Sequence, residues 1–285
     1  MVFIGDRNNA SLSISLGEKI GVNVVYPDIT VFSDGEREVN IPTKFFGEHV
    51  VVLRCLSLGQ NVDSFLIETA LVLQCLNKLG AKKITTVIPY LPYSRSDVDT
   101  MNLFGVLFKE AGLSKLIVVD PHNDQLQKAF GSICATLSTQ RLVVSLINEL
   151  KLKKVTIVSP DAGGKKRVES IAKELKEPSI ILSKKRRSDY EVEVEEVSQI
   201  PEKTCIILDD MITTGSTILA SVQKLKEAGA KKIVVIATHG IFTNNAQKKL
   251  ENLDDLIVSD SIENTKVKTF SIAELIASAL SHGGE

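Results

Sequence analysis

Two adjacent carboxylates, Asp209 and Asp210, stand just upstream of small hydroxyl residues grouped around a glycine, Thr213-Thr214-Gly215-Ser216-Thr217. An apolar run, Cys205-Ile206-Ile207-Leu208, precedes them, and a helical pattern through Ile218, Val222 and Leu225 follows. A buried strand, a small-residue loop and a helix start together let a backbone cradle a phosphate. N–H groups and hydroxyls point at the anion, and the helix dipole favours its charge. The two acids would repel that phosphate, so they need another partner. They suit the neighbouring hydroxyls of a sugar, directly or through a divalent cation. A sugar phosphate satisfies both ends, although the same letters could also build no more than an Asp-capped turn before an amphipathic helix.

Other stretches extend the chemistry. Asp161-Ala162-Gly163-Gly164 lies between an apolar run and a helical pattern. Twin glycines there allow close approach to an anion, and Asp161 can hold Mg²⁺ beside it. Lys184-Lys185-Arg186-Arg187 adjoins the alternating Glu191-Val192-Glu193-Val194. It reads either as a solvated basic hairpin or as cations that close over the charge of a phosphoryl-transfer transition state. Between Tyr26 and Pro42 the alternation predicts a β-hairpin turning at Asp34-Gly35, which alone implies no function. Arg95 follows a strand ended by Pro89, on a loop at the carboxyl end of a sheet. Its planar fork suits a nucleotide phosphate. His122 stands two residues after Asp120 at another strand end, where a histidine and a carboxylate can place a metal or its water.

Read in order, these segments resemble the ribose-phosphate diphosphokinase (PRPP synthase) family from Phe32 to Leu280. Asp-Asp followed by Thr-Thr-Gly-Ser-Thr is similar to the PRPP loop, which the phosphoribosyltransferases share. Phe32-Ser33-Asp34-Gly35-Glu36 resembles the F-P-D-G-E element, with serine in place of proline. Tyr93, Arg95 and Asp97 match Y-x-R-Q-D, and Ser96 departs from its glutamine. Asp120 and His122, with Gln125, Gln127 and Phe130, look like V-D-x-H and Q-x-Q-x-x-F. Asp161-Ala162-Gly163-Gly164 is similar to the diphosphate loop, and the basic run to the catalytic K-R-R.

The resemblance implies diphosphoryl transfer from Mg-ATP to the C1 hydroxyl of ribose 5-phosphate, for nucleotide biosynthesis. Phe32, Asp34, Glu36 and Arg95 would bind ATP. Thr213, Thr214, Gly215, Ser216 and Thr217 would hold the 5-phosphate, and Asp209 and Asp210 the ribose 2- and 3-hydroxyls. Asp161, Gly163 and Gly164 would form the diphosphate loop. His122 and Asp161 would place Mg²⁺, the one cofactor implied. Lys185 and Arg187 would be catalytic, with Lys184 the alternative to Lys185. The resemblance also implies a homodimer at least, with a hexamer left open, because the F-x-D-G-E element reaches a neighbouring subunit. The compact length and the form of the loop look more like archaeal members. A phosphoribosyltransferase and a catalytically silent synthase-like subunit are the rival readings. The basic loop and the Asp-Gly hairpin count against the first, and Lys185, Arg187 and His122 against the second.

The remaining features fit this frame. Leu76-Asn-Lys-Leu-Gly-Ala-Lys-Lys-Ile is echoed by Leu225-Lys-Glu-Ala-Gly-Ala-Lys-Lys-Ile, each a helix end, a Gly cap at Gly80 or Gly229, and a buried strand. Two related α/β halves account for it, residues 1–140 and 141–285, each with a mostly parallel sheet flanked by helices. Given the resemblance, both would be phosphoribosyltransferase-like. At 285 residues the chain has ample length for two such cores. A net charge of −1 offers no nucleic-acid surface, and no apolar stretch is long enough to span a membrane. Cys55, Cys75, Cys134 and Cys205 stand singly in apolar surroundings, which predicts free thiols and a cytoplasmic, reducing location.

Overall fold

The computed structural model describes residues 1–95, 100–123, 125–186, 192–194 and 200–282. The chain forms two compact units. One comprises residues 1–138, 261–263 and 271–285, the other residues 139–260 and 264–270.

The first unit begins with β1 (Val2–Ile4), α1 (Ala10–Ile20) and β2 (Val24–Val25). A hairpin follows, β3 (Asp28–Val31) and β4 (Arg37–Asn40), and then β5 (His49–Leu53), α2 (Val62–Lys78) and β6 (Lys83–Val87). Next come α3 (Thr100–Glu110), β7 (Lys115–Val119), α4 (Gln125–Phe130) and β8 (Cys134–Leu137). The sheet runs β2-β1-β5-β6-β7-β8, and its described pairs are all parallel. Val50–Leu53 and Leu116–Val119 are buried without alternation, as strands covered by helices on both faces must be. Leu12 and Leu16 of α1, with Phe65, Leu66, Val72 and Leu73 of α2, supply much of the cover.

The second unit holds α5 (Gln140–Glu149), β9 (Val155–Ser159), α6 (Lys165–Leu175) and β10 (Ser179–Ile181). A second hairpin, β11 (Lys184–Arg186) and β12 (Val192–Val194), precedes β13 (Thr204–Ile212) and α7 (Ser216–Glu227). The unit then continues through β14 (Lys232–Gly240), α8 (Ala246–Lys249), β15 (Asp255–Ser259) and β16 (Lys268–Phe270). Its sheet, β10-β9-β13-β14-β15-β16, is again parallel. The two faces of this sheet carry separate apolar clusters. One is built around Ile207, Val235 and Leu225, the other around Ile206, Val234 and Ile171.

The two sheets share one topology. In each, the second sheet strand lies outside the first, the third lies on its other side, and a hairpin is inserted before the third. Gly80 and Gly229 stand at the ends of the equivalent helices α2 and α7, both with positive φ. The expected parallel α/β architecture, the internal repeat and the hairpin at Asp34-Gly35 are therefore all present. The closing helix α9 (Ala273–His282), which the sequence division put in the second half, packs on α1 in the first unit. Lys19 of α1 bonds Glu274 of α9 at 2.6 Å.

Candidate active site

In a sheet of this order the connections leave in opposite directions from its first and third strands, which opens a crevice at their carboxyl ends. In the second unit that crevice lies between β9 and β13. The Asp161 loop enters it from one strand and the Asp209–Thr217 segment from the other.

Asp209 and Asp210 sit on the strand itself, because β13 runs on to Ile212 and stays paired with β14 as far as Gly240. The expected strand end at Leu208 is thus too early. Side-chain oxygens of the two acids bond local amides, Asp210 N to Asp209 Oδ1 at 2.9 Å and Met211 N to Asp210 Oδ1 at 3.0 Å. Burial pushes Asp209 well above the ordinary carboxylate range, and the charges of Asp210 and then Asp161 add to this. Three carboxylates therefore share one field, which a cation or donated hydroxyls would relieve.

Gly215 turns the chain at φ +74° and directly precedes α7. A side chain at that φ would be strained, and its Cβ would also crowd Leu250 at 3.2 Å. Thr214 Oγ1 and Ser216 Oγ lie 3.0 Å apart, so two hydroxyls converge at the helix start. Thr213, Thr214, Ser216 and Thr217 are all half-buried, as wall residues of a small anion site would be.

The Asp161 loop is a short 3₁₀ turn, Ala162–Gly164, leading into α6. Asp161 Oδ1 accepts from Gly163 N at 2.8 Å and Gly164 N at 3.3 Å. Gly164 is required by close approach. A Cβ there would fall 2.5 Å from Ser159 Oγ, which is occupied donating to Asp161 O at 2.6 Å. Ser159 is a supporting residue that sequence reasoning passed over, since a serine ending an apolar strand carries no pattern.

The remaining expected site residues lie on other elements. Phe32, Asp34 and Glu36 lie at the exposed tip of the β3–β4 hairpin. That tip is held by Phe32 N to Glu36 O at 2.8 Å and Glu36 N to Asp34 Oδ1 at 3.0 Å. Arg95 and His122 are exposed, on loops after β6 and β7 in the first unit. Lys185 is on β11, paired with Glu193. Arg187 lies outside the described residues, as do Ser96 and Asp97. Among the described residues no three His, Cys, Asp or Glu side chains gather at metal-ligand spacing. Asp161, a carboxylate beside the glycine loop, is a donor of the kind Mg²⁺ takes, since that ion binds one or two carboxylates and completes its shell with water and substrate phosphates.

The N-terminal domain of ribose phosphate pyrophosphokinase matches residues 1–104, and the phosphoribosyl transferase domain matches residues 122–275. A ribose-phosphate pyrophosphokinase of Aquifex aeolicus is 33% identical, over 97% of this chain and 94% of its own. The chain belongs to the ribose-phosphate pyrophosphokinase family. A second relative, ribose-phosphate pyrophosphokinase 2 of Enterococcus faecalis, is 32% identical over 96% of this chain and 90% of its own. The phosphoribosylpyrophosphate synthetase of Mycobacterium smegmatis superposes with a TM-score of 0.87 at 28% identity, covering 98% of this chain and 97% of that one. These relatives are thus matched over nine-tenths or more of their length, through both units.

Proposed function

We propose that this chain moves the diphosphoryl group of ATP intact to the C1 hydroxyl of ribose 5-phosphate. The observation that carries the reading is the crevice between β9 and β13. There three carboxylates share one field, and a hydroxyl-lined loop at the start of a helix follows two of them in the chain. The C1 oxygen attacks the β-phosphorus, and the bond from that phosphorus to the α,β-bridging oxygen breaks. The bridging oxygen leaves with AMP, the proton of the C1 hydroxyl passes to solvent, and 5-phosphoribosyl 1-diphosphate remains.

Thr213, Thr214, Gly215, Ser216 and Thr217 hold the 5-phosphate. Asp209 and Asp210 accept hydrogen bonds from the 2- and 3-hydroxyls and so fix the C1 hydroxyl in place. Asp161, Gly163 and Gly164 form the diphosphate loop. Phe32, Asp34, Glu36 and Arg95 bind the nucleotide. Lys185 and Arg187 neutralise charge on the transferring group, a task that positioning and electrostatics can carry without a covalent nucleophile. In the first unit His122 would place Mg²⁺, and in the second Asp161 would do so; bound beside phosphates, the ion would offset their charge.

Because Phe32 lies at an exposed hairpin tip, we also assign a homodimer at least, in which that tip completes a neighbouring nucleotide site. All four cysteines are free, which supports a reducing, cytoplasmic location. Among the described residues no helix is long and apolar enough to cross a membrane.

The test is AMP formation from Mg-ATP with and without ribose 5-phosphate, for wild type and Lys185→Ala. AMP should require ribose 5-phosphate, and its rate should fall by roughly two orders of magnitude or more in the variant. Folded wild type that forms no AMP would refute the reading.

A further inference from the structure

The crevice of the first unit, between β1 and β5, is the counterpart of the active-site crevice, and it is filled. Asp6 and Asp161 each stand two residues past their strand and four before their helix. Each accepts from the amide two residues on, Asn8 N at 2.9 Å and Gly163 N at 2.8 Å. By the registers of β1 on β5 and β9 on β13, Leu53-Arg54 occupies the place of Asp209-Asp210. A cation thus replaces a site carboxylate. Arg54 is 1% exposed. Its Nη1 lies 3.2 Å from Asp6 Oδ2, its Nη2 bonds Glu68 Oε1, and its Cζ stacks 5.7 Å from the Phe65 ring centre.

The chain of charges continues out of this crevice. Glu68, on α2, accepts from Arg37 Nε at 3.1 Å through its other oxygen. Arg37 Nη1 donates in turn to Gly35 O at 2.8 Å, in the turn that presents Asp34 and Glu36. Asp6, Arg54, Glu68 and Arg37 alternate in sign and run from fully buried to half-exposed. Most of β3 and the hairpin tip is exposed, so this is a rigid tether on a poorly packed element.

We infer that Asp6, Arg54, Glu68 and Arg37 are positioning residues. The crevice that in the second unit forms the ligand site serves in the first to fix the Asp34-Gly35-Glu36 turn for the nucleotide. This inference rests on the proposed function for its ligand. A fork-shaped guanidinium is needed at position 37, because one group must bridge a carboxylate and a carbonyl together.

The experiment compares wild type, Glu68→Gln, Arg37→Ala and Arg37→Lys by amide hydrogen exchange and by steady-state kinetics. Exchange at Phe32, Gly35 and Glu36 should quicken about tenfold in the first two variants, the loss of one charge-assisted hydrogen bond. Amides of β5 and β6 should be unchanged. The KM for ATP should rise by a similar factor with the KM for ribose 5-phosphate within about twofold, and Arg37→Lys should recover only part of the loss. Unchanged exchange in the hairpin of folded Arg37→Ala would overturn the inference, even in an active enzyme. So would equal rises in both KM values. If wild type makes no AMP yet the hairpin loosens as described, the functional reading falls and the tether stands.

Discussion

Burial, Asp210 and Asp161 together hold Asp209 above its ordinary value of 3.8. Between that value and the raised one, the folded chain binds more protons at this site than the unfolded chain. Stability therefore falls as pH rises through the window, and above it the full penalty remains. Asp209→Asn keeps the volume and the acceptor while removing the charge. It should melt higher than wild type by a few degrees in calorimetry, with the gap closing as pH falls toward 3.8. The same variant should lose roughly one to two orders of magnitude in kcat/KM for ribose 5-phosphate. A melting difference that is constant with pH would contradict the assignment of cause. The paired acids and the hydroxyl run were legible because their chemistry is compressed into nine residues of sequence, 209–217. What the letters did not show is that β13 carries both acids on its paired length, since charge normally marks the end of an apolar strand.

At the scale of elements, the hairpin, the helix ends at Gly80 and Gly229, and the buried strands all follow from local patterns of period two or 3.6. The Asp6–Arg54–Glu68–Arg37 chain does not. Its members lie just past β1, just past β5, on α2 and on β4, and nothing in the letters Arg54-Cys55-Leu56 says that this arginine is buried. Removing it leaves Asp6 and Glu68 with no cation between them. Arg54→Met should therefore cost about 3–5 kcal/mol in urea denaturation, whereas breaking the exposed Lys19–Glu274 pair should cost under about 1 kcal/mol. Equal shifts for the two would show that Arg54 is solvated and the crevice open. The destination of α9 was likewise hidden. Its apolar stripe says that it packs, but only the fold says that it packs on α1.

The whole molecule is one topology used twice with different contents. A shared strand order brings a crevice to the same place in each unit. Carboxylates and a glycine loop line it in the second, where we propose the ligand site, and a buried arginine fills it in the first. Phe32, 47% exposed at the hairpin tip, is apolar surface that a nucleotide site in a second copy would cover. Sedimentation at micromolar concentration should accordingly show a dimer or larger species, and a monodisperse, fully active monomer would contradict that assembly. The central claim is transfer of two phosphates in one step. ATP labelled separately at the α- and β-phosphates, incubated with Mg²⁺ and ribose 5-phosphate, follows each group to its product. The β label should appear wholly in a ribose 1-diphosphate and the α label wholly in AMP. An α label in ADP, with a single phosphate on the sugar, would contradict the account.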